Sequence, residues 1–470
     1  MMRMRYLAGV TMLLQFILIK YLYPFPNFMQ DSYNYLRSAA TNIDANLWPV
    51  GYAKLIRFAG FFSHSDYLLI FLQLFIYHLC GLYYFYTLLA LRPCSKWLQW
   101  TLFIFIFLNP AILYLSNYVT SDVYFIGISL VWMAQLFRLT YKPTILLLSL
   151  HLVVLLLAFT VRYHALIYPV ISMTVIVFCQ YPFRIKAAAI AITIFLVGTF
   201  VLYTTRQTET HMGRRQFSVF SGWQMANNAV YAYAHMPVEK RSKDPVPEKF
   251  KNIHTRVNQW LDSVPMSERP HRPIMAFFIW DPGSPLQPEP GVQNISDNAT
   301  HLKQMAQVAP LLNDYGKYLI ARYPVAYIQY YIWPNLLQYI LPPAENLAVY
   351  NDGADTILPV AKEWFHYKDH HIYKRAGAEL KLFNFYPYLM LIILLIFAIG
   401  WVKYLYQEGR AIANEHFRYA LTIVTYYWVV NIGFSVLASP VVLRYQLFNM
   451  IIGATFGGML WDMKVYEKET

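Results

Sequence analysis

Long apolar runs, each of about twenty residues, alternate with polar connections along most of the 470-residue chain. A helix of that length spans the hydrocarbon core of a bilayer. The runs predict about ten membrane-spanning helices, near residues 6–24, 66–91, 97–115, 122–141, 143–161, 164–182, 186–204, 384–404, 417–438 and 443–462. We therefore expect an all-α polytopic membrane protein.

The longer polar connections divide the chain into three parts. Residues 1–204 form an N-terminal transmembrane module with a first outer loop at 25–65, and residues 384–470 supply the C-terminal transmembrane helices. Between them, residues 205–383 are rich in polar residues and prolines, which predicts a soluble segment on the outer side. Its stretch 318–341 is apolar, aromatic and interrupted by two prolines, which favours helices in the membrane interface over a span.

Basic residues fall in every second connection, which predicts the orientation of the helices. Arg3 and Arg5 precede the first run, and Lys464 and Lys468 follow the last one. Cytoplasmic loops carry an excess of Lys and Arg, so both termini should be cytoplasmic. The first run has no small-residue cleavage site and is expected to stay as a signal anchor.

Composition excludes several classes of protein. Hydrophobic residues make up 57% of the chain and charged residues 13%, about half the charged fraction of an ordinary soluble domain. An aromatic content of 18% excludes intrinsic disorder, and three cysteines exclude a disulfide scaffold. The net charge of +13 is scattered and forms no basic stripe, so no nucleic-acid partner is expected.

Two aspartates at the outer ends of apolar runs are candidate acids or bases. Asp31 follows the first run within a few residues and stands among aromatic side chains. Partial desolvation there would raise its basicity and let it accept a proton from a hydroxyl, although a loop or capping aspartate would look the same. Asp122 opens the fourth run, either as a helix cap or as a second acid facing the same cavity.

Cations also occur at outer helix ends, against the usual charge bias. Arg162 and His164 follow the fifth predicted helix, and Arg444 and Tyr445 open the last one. Guanidinium groups bind phosphate oxygens with two parallel hydrogen bonds. The two arginines are therefore candidate ligands of a phosphate or diphosphate group.

Two weaker signals have ordinary alternatives. Lys54 and Arg57 share one side of an amphipathic helix before the second run. They would either bind lipid phosphates or simply extend their charged ends from the apolar surface into water, as long basic side chains commonly do. His366 and His370 have the spacing of a metal pair on a helix, yet a solvated loop explains them as well. No Walker loop, dinucleotide fingerprint or nucleophile elbow occurs, which argues against a nucleotide cofactor.

Taken together, the layout resembles the GT-C superfamily of polytopic glycosyltransferases, which use lipid-linked sugar donors. The protein-mannosyltransferase and aminoarabinose-transferase-like bacterial members are the nearest in pattern. Four motifs in chain order carry the resemblance: Asp31-Ser-Tyr33, Pro49-Val-Gly51-Tyr52, Asn109-Pro110 leading to Thr120-Ser121-Asp122, and Arg444-Tyr445. Many relatives carry paired acids in the first loop, where Asp31 stands without an acidic neighbour. A divalent metal therefore stays an open question.

The resemblance implies an enzyme on the extracytoplasmic side of the bacterial cytoplasmic membrane. Asp31, with Asp122 as a second acid, would deprotonate an acceptor hydroxyl, which attacks the anomeric carbon with inversion while a polyprenyl phosphate leaves. The acceptor would be a glycan, a lipid or a protein. The substrate-binding residues would be Tyr33, Lys54, Arg57, Arg162, His164, Arg444 and Tyr445.

Two other functions stay open at this point. A transporter or flippase of lipids or polysaccharides would place polar residues near the membrane midplane and often carries inverted repeats, neither of which is visible. An O-antigen ligase or polymerase would use histidines of the outer segment, and eight of the thirteen histidines lie in 205–383.

Overall fold

A computed structural model of the protein describes residues 2–241, 245–271, 275–287, 298–406 and 415–469. Within these ranges the regular elements are helices, and β-structure is limited to two isolated bridges. The all-α prediction is confirmed. The α-helices are α1 Met2–Leu22, α2 Gln30–Thr41, α3 Gly51–Phe62, α4 Asp66–Leu91, α5 Lys96–Phe107, α6 Pro110–Ser116, α7 Asp122–Tyr141, α8 Ile145–Val161, α9 Tyr168–Phe178, α10 Phe183–Met212, α11 Val219–His235, α12 Lys251–Ser263, α13 Phe277–Trp280, α14 Asn298–Arg322, α15 Pro324–Tyr327, α16 Trp333–Ile340, α17 Pro359–Phe365, α18 Tyr386–Tyr406, α19 Glu415–Ala438 and α20 Leu443–Glu469.

Seven helical stretches in the described part of the chain are long and apolar enough to cross a membrane, as expected of a membrane protein. They are Arg3–Leu22, Asp66–Leu91, Lys96–Ser116, Asp122–Tyr141, Phe183–Met212, Lys381–Tyr406 and Glu415–Ala438. Seven of the ten predicted runs coincide with them. The runs at 143–161 and 164–182 form shorter apolar helices, and the run at 443–462 lies within α20.

Local breaks explain the short helices. α8 ends because Arg162 has an extended backbone, with φ −149° and ψ 145°. One 3-10 turn, Tyr163–Ile167, then leads into α9, which carries a proline in its first turn. Between α5 and α6, Pro110 lacks the N–H that a continuous helix needs, and the Asn109 side chain accepts a 3.0 Å hydrogen bond from the N–H of Ala111.

The loops before α2 and before α7 are joined by backbone hydrogen bonds. The Asn27 N–H donates to the Asn117 carbonyl at 2.8 Å, and the Val119 N–H donates to the Asn27 carbonyl at 3.1 Å. This parallel bridge sets the start of α2 against the start of α7. It therefore brings together the two segments that carry Asp31 and Asp122.

The buried side chains form two large cores. The first joins α1 to α9 with α18, α19 and α20. The second joins α11, α12, α14 and the stretch around Tyr331, and also includes Ala45 and Leu47 from the loop before α3. Within it, Gly222 and Gly316 let α11 and α14 touch backbone to backbone, because a Cβ on Gly222 would lie 2.1 Å from the Ala309 carbonyl oxygen.

The stretch predicted at 318–341 is helical, but part of it is buried in the second core. α14 ends at Arg322, and α15, the π-helix Ile328–Ile332 and α16 continue to Ile340. Asn335 is buried, and its amide donates to the carbonyls of Val436 and Ser439 at 2.9 and 2.8 Å. These bonds fix α16 against the connection that leads into α20. A position of this stretch in the membrane interface stays a prediction.

Candidate functional site

A cavity of about 1070 Å³ lies between the two cores, and most of the predicted site residues are on its wall. Its lining comes from α2, the α8–α9 connection, α11, α14 and the start of α20. Six predicted residues line it, namely Asp31, Tyr33, Arg162, His164, Arg444 and Tyr445. Asp122 lies directly behind this wall with a side chain that is 1% exposed.

Arg444 is the centre of the charged part of the cavity. Its Nη1 lies 3.3 Å from Asp31 Oδ2 and 3.6 Å from Asp122 Oδ2, and its Nε lies 3.6 Å from Glu345 Oε2. The side chain is 9% exposed. Arg444 lies in the first turn of α20. The residue before it, Leu443, donates its backbone N–H to the Pro343 carbonyl at 2.9 Å, and this bond holds the start of α20 in place. One buried guanidinium therefore contacts three carboxylates.

Arg162 is the second buried cation, and it forms an ion pair with Asp122. Burial by itself would lower the pKa of Arg162, but Asp122 and other neighbouring groups raise it above its usual value. The guanidiniums of Arg162 and Arg444 lie 4.8 and 4.7 Å from the centre of the Tyr445 ring. Asp122 and Tyr445 thus hold two positive charges side by side at the cavity wall.

Asp31 lies in the first turn of α2, where the helix dipole favours a negative charge. One turn later, the hydroxyls of Tyr35 and Ser121 share a hydrogen bond of 3.1 Å, which ties α2 to the residue before Asp122. The Asp31 side chain is less buried than that of Asp122. Of the two acids predicted from the sequence, Asp31 is therefore the one that a molecule in the cavity can contact.

The aromatic residues of the site pack against its charged groups. Tyr33 stacks on Phe28 with ring centres 5.8 Å apart, and burial raises the pKa of its hydroxyl to about 12. The His164 ring lies 4.6 Å from that of Tyr445. Aromatic rings thus lie next to the charged groups of the cavity wall.

Glu345 is a third carboxylate at the site, and it was not predicted from the sequence. It lines the cavity in a 3-10 turn and has a left-handed backbone, with φ 53°. Its side chain is partly exposed within the cavity, yet the surrounding protein raises the pKa of the carboxyl. In the sequence Glu345 is a single acid after Leu341-Pro-Pro-Ala, and nothing in the local pattern distinguishes it from a solvated loop residue.

Lys54 and Arg57 lie away from the cavity wall. Lys54 Nζ is 2.5 Å from Asp44 Oδ1 and donates to Asn42 Oδ1 at 2.9 Å. Arg57 donates to the Ala39 carbonyl at 2.9 Å. Both cations therefore brace the connection between α2 and α3, and their predicted contact with substrate has no support in this arrangement.

His366 and His370, the pair with metal-ligand spacing, each contact other protein groups and are not arranged around a common metal position. His366 ends α17 with a left-handed backbone and packs on His64, with ring centres 5.1 Å apart. His370 Nδ1 lies 3.0 Å from the Ile357 carbonyl. Among the described residues, no group of three or more His, Cys, Asp or Glu side chains could hold a metal ion. At the cavity, the three carboxylates surround the guanidinium of Arg444.

Comparisons with known proteins give no independent indication of the function of this cavity. No family model, curated protein or solved structure matches the chain. The similarity to GT-C glycosyltransferases thus depends on the short motifs described above. The chemistry of the cavity is the basis on which a function can be proposed.

Proposed function

We propose that the protein is a membrane glycosyltransferase. It moves a sugar from a polyprenyl-phosphate donor to an acceptor hydroxyl on the outer face of the bacterial cytoplasmic membrane. The observation that carries this proposal is the 3.3 Å contact between Arg444 Nη1 and Asp31 Oδ2 on the wall of a large cavity. A proton acceptor and a phosphate ligand therefore lie on the wall of one cavity, and transfer from a sugar phosphate uses both.

The reaction follows from these two groups. Asp31 removes the proton from the acceptor hydroxyl, and the hydroxyl oxygen forms a bond to the anomeric carbon. The bond between that carbon and the phosphate oxygen breaks, and its electron pair leaves with the polyprenyl phosphate. Arg444 and Arg162 neutralise the charge that develops on the phosphate. The configuration at the anomeric carbon is inverted.

Binding of the donor would also activate Asp31. Without donor, the carboxylate of Asp31 shares the Arg444 guanidinium with Glu345 and Asp122. A phosphate that takes the N–H groups of Arg444 would replace Asp31 as a partner of this cation, and would leave the carboxylate free to accept a hydrogen bond from the acceptor hydroxyl. Asp122 is too buried to meet a substrate, and we assign it the role of a positioning residue for both guanidiniums.

Apolar side chains at one side of the cavity suit a lipid tail. Leu166, before α9, and Leu437, near the end of α19, line the cavity and are also exposed on the outer surface of the protein. A donor whose phosphate is bound at Arg444 could extend its polyprenyl chain past them into the bilayer. The proposed topology has ten spans, which adds the two short helices and α20 to the seven long stretches. It places both termini in the cytoplasm and the polar segment 205–383 outside.

Asp31→Asn tests the proposal. The full chain is reconstituted in liposomes with a pool of polyprenyl-phosphate sugars and envelope extracts as acceptors, and transfer of labelled sugar is followed. Loss of a general base should reduce the rate by about 10²- to 10⁴-fold without a change in the melting temperature. Asp314→Asn, which removes an exposed acid outside the cavity, is the matched control.

Three results would contradict the proposal. Full transfer activity of the Asp31→Asn variant would exclude the assigned base. Movement of intact lipid-linked sugar across the membrane, with no transfer, would indicate a flippase. A strict requirement for His301, the described histidine of the 205–383 segment that lines the cavity, combined with no requirement for Asp31, would favour a ligase.

A further inference from the structure

Part of the cavity wall is aromatic and polar, and none of its residues takes part in the proposed reaction. Trp48, Phe220 and Trp280 line the cavity and form an aromatic cluster. The ring of Phe220 lies 4.6 Å from that of Trp48 and 5.7 Å from that of Trp280, and the second pair is stacked at 21°. Trp280 is 45% exposed, so part of this wall is accessible from solvent.

The aromatic cluster is connected to the helix that carries the proposed base. Trp48 lies in the loop before α3, next to Leu47 of the second core. The Asn46 amide donates to the Asn34 carbonyl at 3.0 Å and to Ser38 Oγ at 2.8 Å. Asn34 follows Asp31 by about one turn of α2. The aromatic cluster and Asp31 therefore line the same cavity, on segments that these hydrogen bonds join.

One polar group beside the aromatic rings has no protein partner among the described residues, and two amide side chains line the cavity wall. Trp48 Nε1 is buried and has no hydrogen-bond partner among the residues that the structure describes. Gln224 and Asn228 also line the cavity, and the Gln224 amide donates to Asn228 Oδ1 at 2.7 Å. A buried N–H without a partner costs free energy, which a ligand oxygen would recover if a rotation of the Trp48 ring brought this N–H to the cavity.

This combination suits a carbohydrate. The C–H faces of a sugar ring stack on aromatic surfaces, and its hydroxyl groups bond to indole N–H groups and to amides. The cavity volume of about 1070 Å³ exceeds the roughly 300–1,000 Å³ of ordinary small-molecule sites. It therefore has room for a donor sugar phosphate and for further sugar units beside it.

We infer that the aromatic cluster is the acceptor subsite and that the acceptor is a glycan, an inference that rests on the proposed function. The donor phosphate is assigned to Arg444 and Arg162, and its tail to the apolar side near Leu437. The aromatic cluster is then left for the molecule that supplies the hydroxyl to Asp31. Because Trp280 is partly exposed, a chain of several sugars could continue from the cavity into water.

The test measures binding of maltotriose, mannotriose and chitotriose to the full chain in phosphatidylcholine nanodiscs, which contain no glycosidic detergent. Saturation-transfer NMR and a tryptophan fluorescence titration report the affinity. We expect at least one trisaccharide to bind, and Trp280→Ala to weaken it about ten-fold, as removal of an aromatic contact does. Trp48→Phe keeps the ring but removes the N–H, and should weaken binding about three-fold or more.

Trp97→Ala is the matched control, because Trp97 is exposed and lies outside the cavity; it should leave the affinity unchanged. Melting temperatures establish that each variant is folded. The inference is overturned if no trisaccharide binds to the wild type, or if the Trp48 and Trp280 variants bind as tightly as the wild type.

A second ligand separates this inference from the proposed function. The Arg444→Ala variant should bind decaprenyl phosphate more weakly than the wild type and bind the trisaccharide equally well. The Trp280→Ala variant should bind the trisaccharide more weakly and decaprenyl phosphate equally well. If the Trp280→Ala variant lost as much affinity for decaprenyl phosphate as the Arg444→Ala variant, the aromatic cluster would belong to the donor site and the inference would be overturned. Tryptophan-dependent trisaccharide binding, together with unchanged sugar transfer by Asp31→Asn, would refute the proposed base and leave the glycan subsite standing.

Discussion

Replacement of Asp122 by asparagine should destabilise the protein, because this carboxylate neutralises two buried cations. Asp122 is 1% exposed, and its partners Arg162 and Arg444 are 12% and 9% exposed. Arg444 keeps Asp31 and Glu345 as partners in the variant. Arg162 instead loses the carboxylate that compensates its burial.

The size of the effect follows from the burial of the pair. Removal of one partner from a buried ion pair costs about 3–5 kcal/mol. Unfolding entropy is about 2.1 cal/mol/K per residue, which gives about 1 kcal/mol/K for a chain of 470 residues. The melting temperature should therefore fall by about 3–5 °C if the whole chain unfolds together, and by more if the first core unfolds alone.

The assay is thermal unfolding at one fixed heating rate, followed by intrinsic fluorescence of the purified protein. Asp314→Asn is the matched control, because Asp314 pairs with Lys249 at 3.2 Å on the exposed surface, where such pairs contribute about 0–1 kcal/mol. Arg162→Met in the Asp122→Asn background should recover part of the loss. If Asp122→Asn and Asp314→Asn melt alike, Asp122 does not compensate the buried charge and the reasoning is refuted.

Glu345→Gln should melt at a higher temperature than the wild type at pH 7, because burial raises the pKa of Glu345 and its charged form is disfavoured in the folded state. The difference should vanish below the ordinary carboxyl value of 4.5, and melting curves in which it grows on acidification would contradict this. Gly222→Ala should cost about 1–3 kcal/mol, since its Cβ would lie 2.1 Å from a carbonyl oxygen of α14. Gly198→Ala, with nothing within 4 Å, is its control, and equal melting temperatures would refute the packing argument. A cysteine at Lys251 should react with an impermeant maleimide in intact spheroplasts and one at Lys142 only after permeabilisation; the opposite pattern would reverse the proposed orientation.

The sequence predicted long helices better than short ones. Seven runs of about twenty apolar residues became long helices because each could satisfy its backbone without help from neighbours. The run at 143–161 forms a helix with nearly the predicted bounds, Ile145–Val161, whereas the run at 164–182 forms an α-helix only over Tyr168–Phe178. The first residues of that second run form the 3-10 turn Tyr163–Ile167 instead, and the apolar pattern does not distinguish such a turn from an α-helix.

The resemblance to GT-C glycosyltransferases placed the predicted residues in one site, but the sequence did not predict which of them contact each other. Asp31, Asp122, Arg162 and Arg444 each stood out as a charge at the outer end of an apolar run. Their mutual contacts were not predictable, because Arg444 and Asp31 are 413 positions apart. Glu345 was missed, since a single acid in a polar loop is ordinary until its guanidinium partner is known.

The partners of Lys54 and Arg57 explain why the structure does not support a role for them in substrate binding. Their chemistry suits lipid phosphate, but Asp44 and the Ala39 carbonyl lie close enough along the chain to bind them first. Spacing along a helix identifies the side that a cation occupies. It does not identify which nearby oxygen the cation contacts.

In the proposed topology α8 crosses the membrane, and its shortness would then have a consequence for the surrounding lipid. Its 17 residues extend about 25 Å at 1.5 Å per residue, about 5 Å less than a typical hydrocarbon core. A bilayer that meets a short apolar surface becomes thinner to match it. The head groups of the outer leaflet would then sink towards the level of Arg162, and a lipid phosphate could reach the cavity by lateral diffusion without leaving its leaflet.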